Sequence, residues 1–277
     1  MDGLPYRGAF GAPRPPALDV LALPPGPMPS HQALRPLKAW RYVGIYGPEV
    51  MVCVGAVRIG PLRQSFWAVW DRARGRLHER TRPGRGRLRL ATGAVQLDER
   101  TVQLDLRLEE RAGIETVCRS GESYAWTRKQ GDVRAQGTIA IEGRSQQIEA
   151  RGVIDDTAAY YARHTSWRWS AGVGEARDGR RVAWNLVSGV NDPPVDSERT
   201  VWVDGEPFEA GPSSFAEGLA GVDGLRFIAE AVRERNDNLL AVQSRYRQPF
   251  GAFSGQLPGG IELVAGYGVM EEHDVRW

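Results

Sequence analysis

The chain has 277 residues, 42% of them hydrophobic and 25% charged, which rules out a wholly disordered chain and allows one large core or two ordinary ones. A formal net charge of +2 argues against general attraction to nucleic acid or to acidic membrane surfaces. Cys53 and Cys118 are too few for a disulfide framework and match no zinc spacing, so both read as small buried residues.

The first 37 residues are rich in proline and glycine, as in GAPRPPALDVLALPPGPMPS. Proline lacks the N–H and fixes φ, so this stretch predicts an extended arm over the body, with Leu21 and Leu23 as anchors and disorder as the competing reading. It holds no basic start followed by an apolar core and cleavage site, and no apolar run approaches the ~20 residues of a membrane helix. A cytoplasmic protein without a membrane span is expected.

From Trp40 the pattern becomes short β-branched and aromatic runs: WRYVGIY, VMVCVGAVRIG and QSFWAVWD. Arg72 to Leu90 follows with eight arginines and one acid, Glu79. It lacks the interleaved aromatics that stack on bases, so it reads as a solvated arginine-rich hairpin and not a nucleic-acid contact. TVQLDLRLEE alternates, placing Val102, Leu104, Leu106 and Leu108 on one face. IEGRSQQIEA predicts a hairpin with Gly143 and Ser145 near its tip, and DDTAAYYARH a short helical turn near 155–162 capped by Asp155 or Asp156. The final third continues with TVWVDG, LRFIAEAVRE (strand or helix), LLAVQSRYRQPFGAFSGQ and IELVAGYGVMEEHDVRW. Turn signals every eight to twelve residues indicate an all-β, antiparallel sandwich or barrel with few short helices. The expected division is a proline-rich arm over 1–37, a first β unit over 38–156 and a second over 157–277.

HTSWRWSAGVG (164–174), VAWNLVSGVNDPPVDSERTVWVDGE (182–206), SRYRQPFGAFSGQL (244–257), GYGVMEEHDVRW (266–277) and, earlier, LKAWRYVGIYGPEVMVCVGAVRIG with SFWAVWD resemble the bacterial family called domain of unknown function 2804. That family implies no established activity. Its tryptophan-rich strands are more remotely similar to lipocalin-like (calycin) proteins, which include carotenoid hydratases and tocopherol cyclases. This second similarity implies two fused barrel-like units holding an apolar ligand, and it is an analogy of fold, which does not fix function.

Several residues are candidates for chemistry. Alternation puts His164, Ser166 and Arg168 on one face of HTSWRWS, and Thr165, Trp167 and Trp169 on the other. Asn185 lies among apolar neighbours, where its amide either binds a ligand or ties down the GVNDPPVDSE loop. That loop carries Asn191, Asp192, Asp196 and Glu198, read either as a solvated turn or as carboxylates facing a ligand or hard cation. Glu271 and His273 share a face of the last strand, opposite Glu272, Asp274 and Arg276, and a carboxylate beside a histidine suits acid–base work. A metal site of His164, His273 and Glu271 is the lesser alternative, for the spacing carries no metal signature. Tyr246 shares a face with Gln248 and Phe250 and is a candidate proton donor. No glycine-rich phosphate loop, dinucleotide fingerprint or nucleophile elbow is present. The expectation is a cofactor-free, metal-free protein for a small apolar molecule. Its catalytic candidates are His164, Tyr246, Glu271 and His273; Trp167, Trp169, Asn185 and Glu198 line the ligand. The rival is a non-catalytic β-protein that docks another protein.

Overall fold

A computed structural model describes residues 3–239 and 242–277. The first half of the chain gives β1 (Tyr6–Ala9), β2 (His31–Gln32), β3 (Arg35–Pro36), β4 (Lys38–Tyr46), β5 (Val50–Ile59), β6 (Leu62–Asp71) and β7 (Arg76–Pro83). Then come β8 (Leu88–Ala91), β9 (Ala94–Asp98), β10 (Val102–Glu109), β11 (Ile114–Ser120), β12 (Ser123–Ile141) and β13 (Arg144–Ala159). The second half gives β14 (His164–Ala176), β15 (Arg181–Ser188), β16 (Thr200–Val203), β17 (Glu206–Glu209), β18 (Gly221–Val222), β19 (Gly224–Leu239), β20 (Val242–Leu257) and β21 (Ile261–Arg276). Apart from three short 3-10 turns, the described residues hold no helix.

Two large antiparallel sheets result, and β2 and β3 pair by themselves. The first runs β7-β6-β5-β4-β13-β12-β10-β9-β8, with β11 and β1 branching from β12. The second runs β17-β16-β15-β14-β21-β20-β19-β18. The first long strand of each sheet pairs with the last strand of the same half: β4 with β13, and β14 with β21.

Alternation sets the cores. Val102, Leu104, Leu106 and Leu108 of β10 are buried while the residues between them are exposed, as expected for a half-covered strand. They join Val52, Val54, Trp67 and Val69 from the far end of the same sheet, so the sheet curls around its own core. The second sheet curls likewise around Trp184, Val201, Phe227 and Phe253. Between the sheets lies a third, aromatic core built from Tyr42, Tyr46 and Trp70 on one side and Trp169, Trp202 and Phe250 on the other. Within β4, Val43 and Ile45 face the inner core, and Tyr42 and Tyr46 face the seam.

The Ala-rich segment expected as a helical turn near 155–162 is instead the end of β13. Asp156, Thr157 and Ala158 pair with Arg41, Trp40 and Ala39 on one side and with residues of β12 on the other. Two ladders of backbone hydrogen bonds outweigh a weak local helix preference. FIAEAVRER is strand, within β19. The β12–β13 hairpin turns at Glu142 and Gly143, both at positive φ, as a two-residue turn of this hand requires, and Ser145 already pairs with Ala140.

In the arm, β1 pairs with β11, and Leu18 and Leu23 are buried beside Tyr124, Trp126 and Tyr160, with Leu21 packed against them. In the arginine-rich stretch, Arg72, Arg74, Arg76, Arg80 and Arg82 are all ion-paired, the last two with Glu99. Cys53 and Cys118 are buried, and burial pushes both thiols up to about 12. No helix of the described residues is long and apolar enough to cross a membrane.

Candidate functional site

The seam between the sheets is not packed solid. A cavity of about 430 Å³ opens between β4, β6 and β13 of the first sheet and β14, β19, β20 and β21 of the second. This volume suits a small organic molecule. Its aromatic walls are Trp40, Tyr42 and Phe66 facing Trp167, Trp169 and Tyr246.

Cross-strand register delivers the polar groups. Trp167 lies opposite His273 and Trp169 opposite Glu271, while Tyr246 lies opposite His273 from the other side. Trp167 Nε1 donates to Glu271 Oε1 at 2.8 Å, and Gln248 Nε2 donates to Oε2 at 2.9 Å. Burial raises the pKa of Glu271, and its bonds to Trp167 and Tyr246 only partly offset this. Burial likewise lifts Tyr246 well above the usual phenol range, with the Glu271 charge adding to the effect. His273 Nε2 meets Ser244 Oγ at 2.7 Å, and its ring centroid lies 4.4 Å from that of Trp167. Its Nδ1 is buried without a hydrogen-bond partner. Burial drives His273 down to about 4, so the imidazole is neutral at pH 7.

A second polar cluster lines the same cavity. Asp155 accepts from Trp40 Nε1 at 3.0 Å and from Thr157 Oγ1 at 2.8 Å, and it pairs with Lys129 Nζ at 2.5 Å. Lys129 also reaches Glu198 at 3.3 Å, and Asn191 Nδ2 donates to both Glu198 Oε2 and the Tyr161 hydroxyl. Burial alone would lower the pKa of Lys129; Asp155 and Glu198 outweigh it, and the ammonium stays charged. Burial raises Glu198, against the pull of Lys129.

Of the residues singled out in the sequence, Trp167, Trp169, Glu198, Tyr246, Glu271 and His273 line this one cavity. Asn185 lies behind the wall: its Oδ1 accepts from Trp169 Nε1 at 2.8 Å and its Nδ2 donates to the Glu198 carbonyl at 2.9 Å. Of its two readings, the structure supplies the loop tie. His164 lies elsewhere. It is on the outer face, half exposed, with Nε2 at 2.9 Å from Asp274 Oδ2. The alternation that separates His164 from Trp167 also separates it from His273, so the two histidines and Glu271 cannot share an ion, and no metal-ligating cluster is found among the described residues. The solvated-turn reading of Glu198 also fails: it is 2% exposed, and Arg7 of β1 donates to Ser197 and Thr200 on either side of it.

Sequence reasoning passed over Trp40, Lys129, Asp155 and Arg233. One signal was present: Lys38 and Lys129 are the chain's only lysines, and both are buried.

Residues 80–211 match the model of the DUF2804 family, described as a domain of unknown function. The matched DUF2804 span contains HTSWRWSAGVG and the VAWNLVSG segment, and the resemblance read from those motifs is borne out. No match was found among the curated proteins. In three dimensions, kievitone hydratase from Nectria haematococca is similar with a TM-score of 0.52 at 11% identity, over 85% of this chain and 88% of that one. The Nitrosomonas europaea protein NE1406, provisionally described as an AttH, is similar with a TM-score of 0.50 at 13% identity, over 91% of this chain and 98% of that one. At such identities the likeness is one of fold.

Proposed function

We propose that the protein binds a small, largely apolar molecule in the cavity between its sheets and moves a proton on it, as a cytoplasmic hydratase, cyclase or isomerase that needs no cofactor for this step. The observation that carries this reading is Glu271. Its carboxyl is buried in an aromatic wall, held by two donors, and biased by burial towards its protonated form. A carboxyl that burial pushes towards its protonated form, set beside an apolar cavity, is suited to donate a proton to the ligand.

The step balances with side chains alone. The Glu271 O–H bond breaks as its proton adds to a double bond of the ligand. The indole faces of Trp40, Trp167 and Trp169 stabilise the cation that forms. Attack by water gives hydration, attack by a second double bond gives cyclisation, and loss of a different proton gives isomerisation. The released proton returns to the Glu271 carboxylate, directly or through the neutral His273. That one solved structure of similar fold is by name a hydratase supports the reading.

Native mass spectrometry with solvent extraction, on protein purified from its own host, is the direct test. A co-purifying apolar molecule that wild type converts and Glu271→Gln binds without converting is the expected result. Binding with equal turnover in the variant would remove Glu271 from the chemistry. Binding without turnover in either protein would leave a carrier.

A further inference from the structure

One buried cation at the cavity is incompletely matched. Arg233 of β19 is 3% exposed and lines the cavity. Its guanidinium carbon sits 4.4 Å from the centroid of Phe66 and 4.8 Å from that of Tyr246. Nη2 donates to Thr81 Oγ1 at 3.0 Å. Nε is buried and has no hydrogen bond. The nearest carboxylate, Glu79, is 3.3 Å from Nε and more than one-third exposed to solvent, so its charge is partly screened. Lys129, in the same cavity, is held by two carboxylates. A guanidinium taken out of water is costly unless its charge and its donors are both met, and its planar fork is suited to a carboxylate or similar oxyanion.

We propose that Arg233 receives an anionic oxygen of the ligand, so that the substrate class is an apolar molecule carrying one acidic group, a carboxylate or an ionised enol or phenol. This rests on the cavity being the ligand site. Arg233 lies over the Tyr246 ring, and Tyr246 and Glu271 line the same cavity as the tryptophans, so an oxyanion on the guanidinium places the apolar remainder of the ligand along the tryptophan wall beside Glu271. Arg233 thereby fixes which end of the ligand meets the proton donor. It is a binding residue, distinct from the carboxyl that reacts.

The test uses full-length protein, calorimetric titration, and two probes of one shape: 2-naphthoic acid, ionised at neutral pH, and its methyl ester. Wild type is expected to bind the acid about tenfold or more tightly than the ester, the usual worth of a hydrogen bond to a charged group. Arg233→Met is expected to abolish the preference, so that acid and ester bind alike, and Arg233→Lys to restore part of it. Because Arg233 also bridges the sheets through Thr81, a variant that fails to fold is set aside, and the wild-type comparison decides. Equal affinities for acid and ester in wild type overturn the assignment while leaving the apolar cavity intact. If neither probe binds, the cavity reading itself falls, and the assignment with it.

Discussion

Trp40 and Trp167 stack across the seam between the two sheets, with ring centroids 6.2 Å apart and planes at 10°. Each donates its indole N–H to a carboxylate on the neighbouring strand, Trp40 to Asp155 and Trp167 to Glu271. The register is the same in both sheets. Trp40 lies opposite Thr157 and Tyr42 opposite Asp155; Trp167 lies opposite His273 and Trp169 opposite Glu271. Even the residues facing away correspond, since Arg41 pairs with Asp156 and Arg168 with Glu272. One device, W-R-Y against D-D-T and W-R-W against E-E-H, is used twice, once in each sheet, and the cavity lies between the two copies.

The two indoles should therefore be coupled. Trp40→Phe and Trp167→Phe each remove a donor from a buried carboxylate and should each cost about 1–3 kcal/mol. Because the rings also touch, the double variant should depart from the sum by about 0.5–1.5 kcal/mol. Urea unfolding of the four proteins measures the cycle. Strict additivity would mean that the stack carries no energy of its own.

His273 should make stability depend on pH. Its pKa falls from 6.5 to about 4 on folding, so between those values the unfolded chain binds the extra proton. Stability is then complete above pH 6.5 and declines as the pH drops towards 4, by about 3 kcal/mol for this group. His273→Gln should lose less stability than wild type over that window. Parallel unfolding curves at pH 7 and pH 4.5 for the two proteins would refute the burial of this imidazole.

His164 should be dispensable. It is half exposed and bound only to a half-buried aspartate, so His164→Ala should change stability by no more than about 0.5 kcal/mol. Affinity for any cavity ligand should be unchanged in the same variant. A large loss of affinity would place His164 in the site after all.

These contrasts show what the sequence could and could not disclose. Period-two alternation correctly separated Trp167 and Trp169 from His164, and Glu271 and His273 from Asp274, because in a strand the face is set by parity alone. The all-β class was legible for the same reason, as in the strict alternation of Val102 to Leu108. The internal repeat was not, since W-R-Y and D-D-T are 115 residues apart in the Trp40–Asp155 bond and only strand pairing joins them. Asp155 and Asp156 beside a run of alanines read as a helix cap, and nothing local said that β4 would claim that segment. Arg233 lies in LRFIAEAVRE, a run that reads as strand or helix, and nothing local set it apart before Thr81, Phe66 and Tyr246 were seen around it.

Lys129 provides the sharpest check on the second cluster. Its ammonium sits between Asp155 and Glu198 with almost no exposure. Lys129→Met keeps most of the volume but leaves two carboxylates buried without their cation, which should cost about 3–5 kcal/mol near neutral pH. The variant can relieve that cost by folding with Glu198 protonated. Its folded pKa would then stand above the unfolded one, a bias burial already gives Glu198 in the wild type. For an acid, such a shift means stability that is present at low pH and lost as pH rises through the folded value. The deficit of Lys129→Met against wild type should therefore be smaller at pH 5 than at pH 8. Adding Glu198→Gln, which removes one of the stranded charges, should recover part of it at pH 8. Urea unfolding of the three proteins at both pH values decides the matter: a deficit independent of pH would show that Lys129 contributes only packing, and that the carboxylates find water or another cation once it is gone.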